Sequence, residues 1–312
     1  MAGFAPEVLA LLKSLGLYAP MGIGEKFYVN GGADGVTAGI DAVGRGSKDR
    51  PFLTIAYALL SAVAGRNDYI YCWNTYNQDT APIVVNVSMV HIIGIAKPGI
   101  HTAILTPSDD NPMFQAPIVG GGVSGVEIAG FCLGGGATNG CIDLLGGQYD
   151  WWIHHNTFGH EWAQAAQDGI RLTAASHLQA LLIEDNIFLG ASGPKGTITR
   201  YGIIAEVASA HVYQGVIRRN KVLRCPNGAI SLLNDCREII VEENKIGCAS
   251  DAVAMAIDLG ATCSGCLIAH NEAQHGDAVM AQNPYHDQAA ADENDWMCNQ
   301  VGSVMKYPDE AM

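Results

Sequence analysis

Apolar and polar positions recur along this chain in a fixed frame. Residues 151–158 read WWIHHNTF and residues 181–188 read LLIEDNIF, and both fit Ile-x-x-Asn-x-apolar. The frame returns at Ile217/Asn220/Val222, Val241/Asn244/Ile246, Ile268/Asn271/Ala273 and Trp296/Asn299/Val301. Two earlier copies, starting at Ile92 and Ile128, lack the asparagine. First positions lie 24 to 36 residues apart, the spacing of a repeat architecture. A second frame, Ile-x-Leu, runs in phase at Ile142/Leu144, Ile170/Leu172, Ile230/Leu232 and Ile257/Leu259, with Ile203/Ala205 as a weaker copy. A glycine often precedes it, as at Gly140, Gly169, Gly202 and Gly228.

Short strands with period-two alternation cannot bury a face alone. Stacking one coil on the next buries a common core and pairs the backbone groups of neighbouring coils. The pattern therefore predicts an all-β chain, a right-handed single-stranded parallel β-helix of about eight coils at ~4.8 Å each. Asn156, Asn186, Asn220, Asn244, Asn271 and Asn299 then form a structural ladder at one bend, each amide bonding the next and satisfying turn backbone groups.

The open N-terminal end of such a stack needs a cover. Phe27 to Asn30 reads as a strand, Gly31 to Asp49 as a glycine-rich loop, Pro51 to Leu60 as a helix, and Tyr69 to Cys72 as a strand leading into Asn74-Thr75-Tyr76. The expected organisation is a docking segment at 1–26, a cap with its helix at 27–85, the β-helix at 86–301 and a tail at 302–312. Strand, Gly/Asp loop, Pro-Phe-x-Thr-Ile helix, strand and x-Thr-Tyr, followed by these coils, resemble the pectate-lyase-like superfamily over residues 27–301. That superfamily spans polysaccharide lyases, glycoside hydrolases, epimerases, and phage tailspikes and other virion proteins. The resemblance implies the fold and leaves the activity open.

Composition narrows the partners. The 312 residues are 49% hydrophobic and 15% charged, with net charge −14. Such a chain has ample apolar surface to bury, which excludes disorder. The acidic balance repels phosphate and anionic lipid, so neither nucleic acid nor membrane is an expected partner. No apolar run is long enough for a transmembrane helix. The opening MAGFAPEVLALLKSLG reads as a short amphipathic helix, not as a signal peptide. The nine cysteines are irregularly spaced, which favours small buried residues in a reducing compartment over a disulfide framework.

Candidate chemistry lies on outward columns. The middle residue of Ile-x-Leu points out, giving Asp143, Arg171, Ile204, Ser231 and Asp258, with Leu145, Thr173, Glu206, Leu233 and Gly260 beside them. If the protein is an enzyme, Asp143, Arg171 and Glu206 are the catalytic candidates, with Arg171 as base between acidic neighbours. The alternative is a surface salt-bridge ladder, because no pair of these carboxylates has the spacing of a glycosidase. Trp152, His160, Glu161 and Trp162 are candidate glycan contacts, whereas Trp151 alternates inward. His154-His155, Glu184-Asp185 and Arg218-Arg219 are equivalent pairs, an interchange that reads as solvated turn positions. Cys263 and Cys266 form a lone CxxC without the second pair a zinc ribbon needs. Asp109-Asp110 and the Asp34 loop lack the alternation of a calcium loop. No metal and no cofactor is expected.

The lack of an export signal conflicts with a secreted sugar enzyme. A phage protein made in the host cytoplasm and released by lysis, residing in the virion, removes the conflict. Outward apolar residues such as Ile204 and Leu233 suggest contacts with other subunits. Phe4, Val8, Leu11, Leu12 and Leu15 place one apolar stripe on a helix over 4–17, which is too short to stand alone. The resemblance implies a homotrimer. The expectation is a structural virion protein: a trimeric β-helix spike, fibre or capsid-decorating protein. It docks through its N-terminal segment on other virion proteins of capsid or tail and meets surface polysaccharide. The alternatives are a polysaccharide lyase or glycoside hydrolase acting in a groove, and a carbohydrate-binding surface protein without turnover.

Overall fold

Three long sheets, each built almost entirely of parallel strands, wrap one hydrophobic core in a computed structural model of the chain. The described residues are 24–32, 38–73, 76–78, 82–95, 103–107, 110–117, 122–160, 165–173, 177–192, 195–206, 211–248, 255–275, 284–290, 293–301, 304–305 and 309–310. The docking residues Phe4, Val8, Leu11, Leu12 and Leu15 lie outside them, as do Glu161 and Trp162. The chain is a right-handed parallel β-helix.

The first sheet carries the Ile-x-x-Asn frame. Ile92, Ile128, Ile153, Ile183, Ile217, Val241, Ile268 and Trp296 pair in register from coil to coil. All but Trp296 are buried in the core, and Trp296 packs against it. A slip of one residue would turn this apolar set outward, so the alternation pins the register. Lys26–Asn30 and Asp68–Trp73 add two rungs ahead of Ile92, through Phe27 and Ile70. The helix Ile55–Ser61 lies beside them. Asp41 organises its start: one carboxylate oxygen accepts from the Leu53 and Thr54 amides and the other from the Thr54 hydroxyl. The Thr54 hydroxyl in turn caps the helix by accepting from the Tyr57 amide.

From the Val123–Ala129 strand onward, each coil leaves the first sheet through one left-handed residue. Gly130 holds this position with φ 79°, followed coil by coil by His155, Asp185, Arg219, Glu243, His270 and Cys298 with φ between 52° and 56°. A non-glycine residue there costs roughly 1–2 kcal/mol, and the next residue supplies compensation. Asn186 donates to Asn220 Oδ1 through both its amide N (3.1 Å) and its side-chain Nδ2 (3.1 Å). Asn220 repeats this on Asn244 (2.9 and 3.1 Å), and Asn244 on Asn271 (both 3.0 Å). Asn156 begins the run on Asn186, and Asn271 bonds Asn299 at its end. Every ladder Nδ2 also donates to a carbonyl one coil back, as Asn220 does to Ile183 O at 2.9 Å.

The third sheet carries the Ile-x-Leu frame, with Ile142, Ile170, Ile203, Ile230 and Ile257 in register. Its strands carry two successive core residues at their second and third positions, for example Cys141-Ile142, Ala229-Ile230 and Ala256-Ile257. This doubling at the corner puts outward positions three residues apart, so Asp168 shares the outer face with Arg171. The cysteines Cys72, Cys132, Cys141, Cys225, Cys236, Cys263 and Cys266 are free and buried. Burial pushes the Cys72 thiol up to about 12, which makes it inert filling.

Candidate functional site

The outward column of the third sheet runs Gln115, Asp143, Arg171, Ile204, Ser231, Asp258 and His286. Asp143 accepts from the Gly140 amide at 3.1 Å and lies 3.7 Å from the Arg171 guanidinium. It is 4% exposed. Burial pushes its carboxyl up to about 6, against the pull of Arg171 and of the Gly140 amide. Arg171 also stands 3.7 Å from Asp168 and donates to the Thr138 carbonyl at 3.0 Å.

Glu206 does not pair with Arg171. It takes a two-pronged contact from Arg200 (2.8 and 2.6 Å), which holds Asp168 in the same way (3.0 and 2.6 Å). The cluster is therefore Asp143, Arg171, Asp168, Arg200 and Glu206. Sequence spacing groups Asp168 with the loop before Arg171 and does not single out Arg200, which reaches its partner from the next coil. The signal that could have found Asp168 is its offset of three from Arg171, which repeats the offset of Gly140 from Asp143.

Several expectations need correction. Ile204 is fully buried, not a surface residue. Arg200 and Glu206 flank the strand Tyr201–Ala205, and their pairing crosses the outer face on which Ile204 stands. Leu233 is half-buried. His154 and Glu184 are not solvated: both are buried, while His155 and Arg219 beside them are exposed. The reason is a polar network on the outer face of the first sheet. Glu127 accepts from His154 Nε2 at 2.8 Å and contacts His91 Nδ1 through its other oxygen. Burial alone would raise the Glu127 carboxyl, but hydrogen bonds from His154 and His91 outweigh it and hold the group at about 2. Tyr69 stacks on His91 (ring centroids 4.3 Å apart) and Trp152 on His154 (3.9 Å).

Trp152 is half-buried, and its indole N–H donates to Glu184 at 2.9 Å. Glu184 also accepts from Arg218 at 2.8 Å. Of the candidate glycan contacts, His160 is half-buried and forms a backbone bridge to Gly196. The CxxC thiols are tied to the backbone, Cys263 donating to Leu232 O at 3.0 Å and Cys266 to the carbonyl of a third buried cysteine, Cys236, at 3.5 Å. Among the described residues no group of histidine, cysteine and acidic side chains is arranged to hold a metal ion.

Three buried polar atoms on the outer face of the third sheet have no hydrogen-bond partner: Arg171 Nε, Thr173 Oγ1 and Ser231 Oγ. Such atoms are rare in folded proteins and call for water or another polar occupant. Chemically, the face offers one carboxyl that burial pushes up to about 6 and two arginines already committed to carboxylates.

No family model matches the sequence, and no curated protein matches it. Solved structures do. The DFA-IIIase of Arthrobacter chlorophenolicus A6, in complex with GF2, is 14% identical over 79% of this chain and 73% of its own, with TM-score 0.44. A mutant tailspike protein of E. coli bacteriophage HK620, in complex with a pentasaccharide, is 13% identical over 78% of this chain, with TM-score 0.41. This chain spans only 43% of that tailspike. The ORF18 protein of Geobacillus virus E2 is 12% identical over 97% of this chain and 66% of its own, with TM-score 0.34.

Proposed function

We propose that the chain is a structural protein of a phage virion, a trimeric β-helix spike, fibre or capsid-decorating protein whose coil stack acts as a stiff stem. Its N-terminal segment, residues 1–26, docks it on capsid or tail proteins, and surface polysaccharide is the ligand class its outer loops meet. The observation that carries the structural reading is the sealing of two of the groove acids, Asp143 and Asp168. Asp168 is 0% exposed and Asp143 only 4%, and each is held beside an arginine. A general acid or base must come within hydrogen-bond reach of its substrate, and these carboxylates are spent on the protein itself.

Light scattering tests the assembly: a mass of three chains is expected, and a clean monomer overturns it. Reducing-end and unsaturated-uronate assays over a polysaccharide panel test the chemistry, with no product expected. Capsid, portal or tail genes beside this one support a virion role, and their absence counts against it.

A second reading, a polysaccharide lyase or glycoside hydrolase, draws on a different observation. Asp143 with its carboxyl near 6 suits a proton donor. Product release that disappears in Asp143→Asn, Arg171→Ala or Glu206→Ala would establish it and displace the structural reading.

A further inference from the structure

The outer face of the first sheet carries an apolar stripe. Leu182, Val216, Ile240 and Leu267 stack in register on four successive coils. All four point away from the core cluster and are half-buried. The stripe continues the column of Glu127 and Trp152 and stops at the exposed Asp295. Among the described residues the other sheets carry no apolar column of four: the second pairs only Leu189 with Leu223 before Gly247. The corresponding column of the third sheet mixes Asp143, Arg171, Ile204, Ser231 and Asp258, and that of the second runs Ile187, Lys221, Lys245 and Glu272.

We infer that this stripe is the contact between copies of the chain in the trimer, an inference that rests on the trimeric reading above. Two observations select a second copy as the occupant. First, the stripe offers one apolar residue per coil, at ~4.8 Å intervals. A partner that meets all four rungs needs the same repeat, and the coil stack of this chain carries it. Second, the two flanks carry opposite charges at the Ile240 layer, where Arg237, itself bonded to Asp235 at 2.7 Å, stands on one side and Glu242 on the other. Gln179, Tyr213 and Arg237 line one side, whereas Glu184, Arg218 and Glu242 line the other.

Copies related by an axis parallel to the coils set one flank against the opposite flank at equal height. Arg237 then faces the partner's Glu242 across the Ile240 layer. A twofold axis crossing the stripe at Val216 would instead bring Glu184 toward the partner's Glu242 and set two arginines together, which is unfavourable. The charges thus favour a closed ring with all coils pointing the same way. Burying the four side chains supplies the apolar centre and the flanks set the orientation.

The test is light scattering on the full chain with three variants. Wild type is expected at three times the chain mass. Ile240→Asp is expected at the mass of one chain with an unchanged far-UV circular dichroism spectrum, because the position faces outward. Lys245→Glu, on the exposed outer face of the second sheet, is expected to stay trimeric. If Ile240→Asp fails to fold, charge reversal decides: Arg237→Glu is expected to weaken assembly about tenfold, and Arg237→Glu with Glu242→Arg to restore it. A wild-type trimer that survives Ile240→Asp, or a charge pair that does not restore assembly, overturns the assignment of this face alone. A monomeric wild type overturns the trimeric reading itself.

Discussion

Replacing Asn220 tests how the coils are held together. The side chain is 1% exposed. It donates to Ile183 O and Asn244 Oδ1 and accepts from the Asn186 amide N and side-chain Nδ2, at 2.9 to 3.1 Å. Asn220→Ala removes all of these contacts and strands the buried Asn186 N–H. At a net ~1 kcal/mol per bond, with a further penalty for the orphaned donor, the cost is about 3–5 kcal/mol. The end rung Asn299 makes one fewer such contact, because it donates to Ile268 O but to no further ladder amide. Asn299→Ala should therefore cost about 1 kcal/mol less.

Asn220→Asp sharpens the test. It keeps the shape but cannot donate when ionised, and it points a charge at two acceptors in a buried site. It should be worse than alanine at pH 7 and should recover as pH falls toward ~4, where the carboxyl is protonated. Guanidinium unfolding is the assay, read as an unfolding rate if refolding is incomplete. An Asn220→Asp variant as stable as wild type at pH 7 would refute the donor role. Equal losses at Asn220 and Asn299 would refute the cumulative ladder.

Asp143 has its folded-state pKa raised from 3.8 to about 6. Its contribution is fully present below pH 4 and is lost as pH rises through 6. Asp143→Asn should match wild type at pH 4 and be more stable by up to about 3 kcal/mol at pH 8, and a flat difference between the two pH values would contradict this. Glu127 is depressed from 4.5 to about 2, so its stabilisation is present above pH 4.5 and fades as pH falls toward 2. Glu127→Gln should lose up to about 3 kcal/mol at pH 7 and converge on wild type in acid, as read from melting temperatures across that range. Arg200→Ala leaves Asp168 buried without its bidentate partner and should cost roughly 3–5 kcal/mol. Arg200→Lys should recover only part of this, since an ammonium cannot reproduce the fork.

What the sequence by itself determined is the coil. Chemically similar residues return at each rung because every coil must fill the same interior and turn the same corner. Ile153, Ile183 and Ile217 share one register for that reason, and the asparagines follow at a constant offset. The outer face obeys no such constraint. Asp168 meets Arg200 across 32 residues, and Glu206 takes Arg200 instead of Arg171. His154 and Glu184 are drawn out of solvent by Glu127, Trp152 and Arg218. These pairings depend on side-chain reach across neighbouring coils and on the doubled core residues at the corner of the third sheet. Position along the chain does not encode those distances, so only the stacked structure decides which charges meet.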